Sequence, residues 1–170
     1  MSKLRLFDNF KVEQYRNGIL IAERLAPNML VNEFLTYTLN KLFKAGTVDA
    51  YYVGLIDSTG YVAIALTDVA AQINGTNGWD ENVDYIDATR QPYVATTTVT
   101  QSIDNSASKA QFTMVGSGSL TLKGAFLCTS AVKSGTAGTL VNAALFSGGN
   151  LSYVADDLIQ VTATFADENC

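Results

Sequence analysis

Histidine is absent from the 170 residues. Its absence removes Ser-His-Asp and Cys-His nucleophile systems and most zinc sites. A Ser-Lys pair needs no histidine, but no Ser-x-x-Lys motif stands in a suitable context. Charge is also scarce. Asp, Glu, Lys and Arg make up 16% of the chain against 48% hydrophobic residues, where about 25% charged is usual for a soluble domain. Two readings of that deficit stay open: an assembly that hides uncharged surface, or a Thr/Ser/Asn-rich β surface. The net charge is −5, so phosphate neutralisation offers no help. The one richer cationic stretch, Lys3 to Arg24, also holds Asp8, Glu13 and Glu23. No basic stripe results, and no direct nucleic-acid contact is expected.

Cysteine is limited to Cys128 and Cys170. Cys128 follows Ala125, Phe126 and Leu127 and reads as a buried small hydrophobe. Nothing in the spacing supports a disulfide between the two. The opening MSKLRLFDNFKVEQ has no apolar h-region, and no apolar run approaches the roughly 20 residues of a membrane span. The expectation is a protein made in a cytoplasm, with no membrane partner. Phosphate loops are missing too. Gly116-Ser117-Gly118 and Gly148-Gly149 precede no helix and read as hairpin turns.

What is present is mostly β pattern. Phe10 to Arg16 alternates, Asn17-Gly18 follows, and Ile19 to Ala22 resumes. Two β-capable runs around Asn-Gly predict a hairpin over residues 10–25, because a type I′ turn needs positive φ at both central residues. Residues 1–9 carry no structure signal and read as a mobile arm. Pro27 breaks the second strand. The period then changes. Leu30, Val31, Phe34, Leu35, Thr38, Leu39, Leu42 and Phe43 recur at i, i+3, i+4, i+7 and predict one amphipathic helix over about 30–45. Asn28 or Asn32 would cap it, Glu33 suits its first turn, Lys41 and Lys44 its last, and Gly46 stops it. Its apolar stripe is expected to lie on a β-sheet.

After Gly46 short strands recur between Gly/Asn/Ser turns: Tyr51–Ile56, Tyr61–Leu66, Pro92–Thr100, Ala110–Val115, Ser119–Thr129, Thr139–Phe146 and Leu158–Phe165. Thr67-Asp68 would open a short helical turn through Val69 to Ile73. In the last strand Ile159, Val161, Ala163 and Phe165 share one face. No helices intervene, so the pattern argues a sandwich or barrel and not βαβ units. The predicted fold is mainly β: an antiparallel β-sandwich, jelly-roll-like, with an N-terminal hairpin and one helix. The predicted organisation is an arm and hairpin at 1–25 and a single sandwich domain at 26–170.

Chemistry-bearing residues are few. Asp80, Glu81, Asp84 and Asp87 form the best acidic cluster. Hard cations favour such oxygen ligands, but the EF-hand spacing and its central Gly are missing. The competing reading is a solvated loop whose carboxylates accept from backbone N–H groups. The same carboxylates could serve a glycosidase, but the loop has one aromatic beside it and no sugar platform. No catalytic, cofactor or metal residue is assigned. Tyr15, Tyr37, Tyr51, Tyr52, Tyr61, Tyr85, Tyr93 and Tyr153 fit an interface or the rim of a core equally well.

An ordered set of segments carries a resemblance. It runs from Val12-Glu13-x-Tyr15-x-Asn17-Gly18 through Asn28-Met29-Leu30-Val31-Asn32-Glu33 to Tyr51-Tyr52-Val53-Gly54-Leu55-Ile56-Asp57. It continues with Gly78-Trp79-Asp80-Glu81, Tyr85 and Arg90, then Lys123-Gly124-Ala125-Phe126-Leu127, Gly138-Thr139-Leu140 and Asp156-Asp157-Leu158-Ile159-Gln160-Val161-Thr162. Together these resemble small structural proteins of tailed bacteriophages and prophages. The resemblance implies a non-enzymatic virion component and supplies no catalytic residues. A capsid decoration (cement) protein on the outer surface of the phage head, bound to the major capsid protein, is the first expectation. Such proteins often form trimers, so a homotrimer is favoured by analogy. A tail, head-fibre or baseplate component is the alternative. A glycan- or receptor-binding β-sandwich is a third, for which Trp79 and Tyr85 are the aromatic hint.

Overall fold

The computed structural model describes residues 6–27, 29–44, 46–58, 64–74, 79–96 and 102–167. Asn17 and Gly18 set the first turn, at φ 51° and 78°, the positive values that a type I′ turn requires. They join β1 (Leu6–Arg16) to β2 (Ile19–Pro27) as the expected hairpin. Pro27 closes β2. β1 then pairs from Leu6 to Tyr15 with the last strand, β12 (Leu158–Asp167). The pairing includes Leu6 to Asn9 opposite Asp167 to Thr164. The expectation of a mobile arm is therefore corrected for residues 6–9: backbone pairing recruits them where side-chain pattern gave no cue.

The remaining elements are β3 (Met29–Leu30), α1 (Asn32–Phe43), β4 (Tyr52–Asp57), β5 (Glu81–Asn82), β6 (Gln91–Pro92), β7 (Ser102–Asp104), β8 (Ala110–Thr113), β9 (Thr121–Cys128), β10 (Leu140–Leu145) and β11 (Leu151–Ser152). They form two antiparallel sheets. One has the order β2-β1-β12-β7, with β8 also on β12; the other runs β3-β10-β9-β4-β5, with β11 on β9 and β6 on β4. The protein is an antiparallel β-sandwich with an N-terminal hairpin and one helix among the described residues. These strand orders do not establish the jelly-roll form.

Phe10, Val12, Phe112, Ile159, Val161 and Ala163 from the first sheet meet Val53, Leu55, Leu122, Ala125, Leu127 and Val141 from the second. The period-2 pattern of β12 is this inner face. The second sheet is also covered outside, by Val31, Ala70, Ile73 and Trp79 packed on Ile56, Phe126, Cys128 and Ala143. Burial on both faces explains why Ala125 to Cys128 is a continuous apolar run. It also explains Gly54, which pairs with Phe126: the Phe126 ring occupies the space a Cβ there would need.

Several local expectations are corrected. Val31, not Asn28 or Asn32, precedes α1, and no side chain caps it. The helix start is tied otherwise: Asn32 N–H donates to Leu66 O at 2.8 Å, and the Glu33 carboxylate accepts from the N–H groups of Ala70 (3.0 Å) and Leu140 (2.7 Å). Residues 64–66 are not strand, and 61–63 lie outside the described residues. The strand expected at 92–100 contracts to β6, with 97–100 outside them. A 3-10 turn covers Ala70–Gln72 as expected, but Val69 precedes it, while Asp68 accepts from Ala65 N–H. Gly116-Ser117-Gly118 is no hairpin turn, because β8 and β9 belong to different sheets. Gly148-Gly149 is none either: β10 and β11 both pair with β9, one after the other.

Candidate interaction surface

Two apolar surfaces stand open among the described residues. The first is the edge strand β2. Among the described residues it has β1 on one side and no strand on the other. Ile19, Leu20, Ile21 and Leu25 are exposed along it, Ile19 at 67%. A bulge at Gln14/Tyr15 leaves Ile21 unpaired between Leu20 and Ala22 and increases the local twist. Only the far half of the edge is shielded. Leu25 O accepts from Ser147 N–H and Oγ, and the Arg24 guanidinium donates to Gly149 O and Asn150 O. From Ile19 to Ile21 the strand has no neighbouring strand on its outer side among the described residues and carries exposed apolar side chains.

The second surface is α1. The helix was expected to lay its apolar stripe on a sheet, and it does so only in part: Phe34 packs against the core of the sandwich, but no residue of α1 is fully buried. It rests on the body through Phe34, Tyr37 and Lys41. Phe34 stacks with Tyr37 and meets Tyr51 edge-on. Tyr37 O–H donates to Asp49 at 3.0 Å, and Lys41 pairs with the same carboxylate at 3.5 Å. Leu35, Leu39, Leu42 and Phe43 lie on the other side, at 42, 59, 70 and 80% exposure.

Beside α1 an apolar cavity of about 520 Å³ opens between the sheets. Phe34, Tyr51, Tyr93, Val94, Ile103 and Phe165 line it, with Asp49 at its rim. Burial, then the neighbouring Tyr37 and Asp49, push the Tyr51 phenol up to about 12. Tyr51 therefore stays neutral in any ordinary buffer, and Asp49 is the one acidic side chain among the described residues that line the cavity.

The acidic cluster proves structural. Glu81 is buried and paired with Arg90, Nε to Oε1 at 2.9 Å and Nη2 to Oε2 at 2.8 Å. Asp84 accepts from the N–H groups of Gly116, Ser117 and Gly118 and from the hydroxyls of Ser117 and Tyr153. Burial pulls its carboxyl up. The bonds from Gly118, Ser117 and Tyr153 outweigh that and hold it below the usual range. Backbone N–H groups thus do satisfy this loop, but from a segment some 30 residues on. Asp80 and Asp87 are exposed. No group of three His, Cys, Asp or Glu residues could hold a metal among the described residues.

Trp79 and Tyr85, the aromatic hint for a glycan platform, are core residues. Trp79 meets Phe126 edge-on at 4.9 Å, and Tyr85 meets Phe112 at the same distance. Cys128 is buried and free, and Cys170 lies outside the described residues. No described helix is long and apolar enough to cross a membrane. No protein family, no curated protein and no solved structure matches the chain.

Proposed function

We propose that this protein is a non-enzymatic structural component of a tailed-phage particle, a decoration protein that binds the major capsid protein on the outer surface of the head. One observation carries the reading: among the described residues β2 is an edge strand, with exposed Ile19, Leu20 and Ile21 along it. Such an edge templates a strand from another chain. Main-chain bonds supply affinity in that mode, and alternate side chains supply specificity. The ordered segments that resemble phage structural proteins, and the low charge content, support the same reading. A decoration protein binds only the assembled shell, so it stabilises that shell as any ligand stabilises the state it binds. The protein acts as a homo-oligomer, and analogy with β-sandwich cement proteins favours a trimer.

The test adds the purified chain to phage shells that lack it and follows their thermal disruption. The native chain is expected to bind to saturation and raise the disruption temperature. A chain carrying Ile19→Lys and Ile21→Lys, whose side chains are already exposed, is expected to fold normally and bind at least tenfold more weakly. Native chain that leaves the shells unchanged, or a double variant that binds equally well, contradicts the reading.

A further inference from the structure

We infer that the Leu35–Leu39–Leu42 stripe of α1 is a self-association seam, occupied by the same stripe of a second copy of this chain. The three leucines are spaced four and three residues apart and lie in line on one helix face. Phe43 extends the line at the C-terminal end. That spacing is the one at which the ridges of one helix fit the grooves of another, with side chains of each entering gaps of its neighbour. A partner β-surface has a repeat of two and does not require it. An identical helix supplies the matching repeat, and point-group symmetry then closes the contact on itself.

The stripe carries no charge, so its burial leaves no ion stranded. Lys41 is already held by Asp49 on the opposite side of the helix, and Glu33 by the N–H groups of Ala70 and Leu140. Both stay clear of the seam. The area is appropriate. With an aromatic side chain offering roughly 150–250 Å², and a leucine about the lower part of that range, the exposures of Leu35, Leu39, Leu42 and Phe43 leave on the order of 500 Å² open. The largest apolar patch of an ordinary monomer is roughly 300–600 Å², and a standard interface takes roughly 800 Å² per partner. Four side chains of one short helix thus supply more than half of one face of a stable pair, before the polar rim is added. The inference is independent of the virion reading, since it concerns the chain alone in solution.

The experiment is light scattering on the full chain across the micromolar range, with a Leu39→Glu, Leu42→Glu variant beside it. The native chain is expected at a whole multiple of 18.2 kDa, and the variant at 18.2 kDa with an unchanged far-ultraviolet circular dichroism spectrum. A native chain that stays at 18.2 kDa up to about 100 μM overturns the inference. So does a folded variant that keeps the native mass. Should the double variant fail to fold, Leu39→Ala replaces it: the seam predicts a dissociation midpoint shifted at least tenfold higher in concentration, and an unshifted midpoint overturns it. Failure of shell binding with self-association intact removes only the virion reading; a chain that binds shells yet stays monomeric removes the seam and the homo-oligomer stated above, and leaves shell binding standing.

Discussion

Arg90 and Glu81 form a two-pronged ion pair with both side chains fully buried. The same guanidinium donates to Ser130 O, Gly135 O and Cys128 Sγ and stands 5.0 Å from the centre of the Phe126 ring. Glu81 in turn accepts from Ser134 N–H at 2.7 Å. The pair therefore clasps the end of β9, the 130–135 turn and the 81–90 segment. Each donor and acceptor that burial strips of water is given a partner, which is the condition for tolerating a buried ion pair.

Removing one partner strands the other. Arg90→Met is expected to destabilise the fold by about 3–5 kcal/mol, the usual cost of an uncompensated buried charge. Adding Glu81→Leu to the same chain is expected to recover part of that loss. Denaturant unfolding of the two variants and the native chain measures both effects.

Asp157 gives the stability a pH dependence of known sign. The Arg16 guanidinium above all, then Val154 N–H and the Gln14 amide, hold its carboxyl below the usual range, against the upward pull of burial. A native value below the unfolded one contributes stability that is complete above the ordinary carboxylate range, near pH ~4, and is lost as pH falls through the native value. Glu13, held low by Lys109 and Lys11, acts in the same direction. Thermal melts from pH 6 to pH 2 are expected to fall steadily below about pH 4, with a shallower slope in Asp157→Asn.

Gly124 tests the packing of β9 on β10. A Cβ there meets the carbonyl oxygen of Ala144 across the strand pair. Backbone cannot yield as a flexible side chain does. Gly124→Ala is expected to lower stability by at least the roughly 1–3 kcal/mol of an overpacked core, read as a drop in the unfolding midpoint. Gly18→Ala, with open space around its Cβ but φ at 78°, is expected to cost roughly 1–2 kcal/mol, from the left-handed backbone alone.

Cys128 is expected to be chemically silent. Burial pushes its thiol up, and no surface reaches it. A maleimide is expected to leave the peptide containing Cys128 unlabelled in the native chain and to label it fully in urea, as peptide mass mapping reports. Native-state labelling at rates near those in urea contradicts the packing described for β9.

How far the sequence was legible depends on the range of the interaction. The β1–β2 hairpin was readable because Asn17 and Gly18 encode their own φ values. The inner face of β12 was readable because Ile159, Val161 and Ala163 alternate. β5, β6 and β11, of two residues each, are too short to have a period. Glu81 with Arg90, and Asp84 with Gly116–Gly118, join segments whose proximity only the assembled sandwich creates. The stripe of α1 was visible as a stripe, yet periodicity names a face and not what covers it. Trp79 and Tyr85 looked like a surface pair because they stand among acidic residues, but the loop turns both rings inward. β2 as an open edge depended on strand order, which no local pattern carries.

The most direct test of the virion reading is the copy number of this chain in purified particles, measured by quantitative mass spectrometry against the major capsid protein. A decoration protein on the head shell predicts a ratio near one to one. A ratio of a few per hundred would instead assign the chain to the tail, a fibre or the baseplate, and absence from particles would contradict the account altogether.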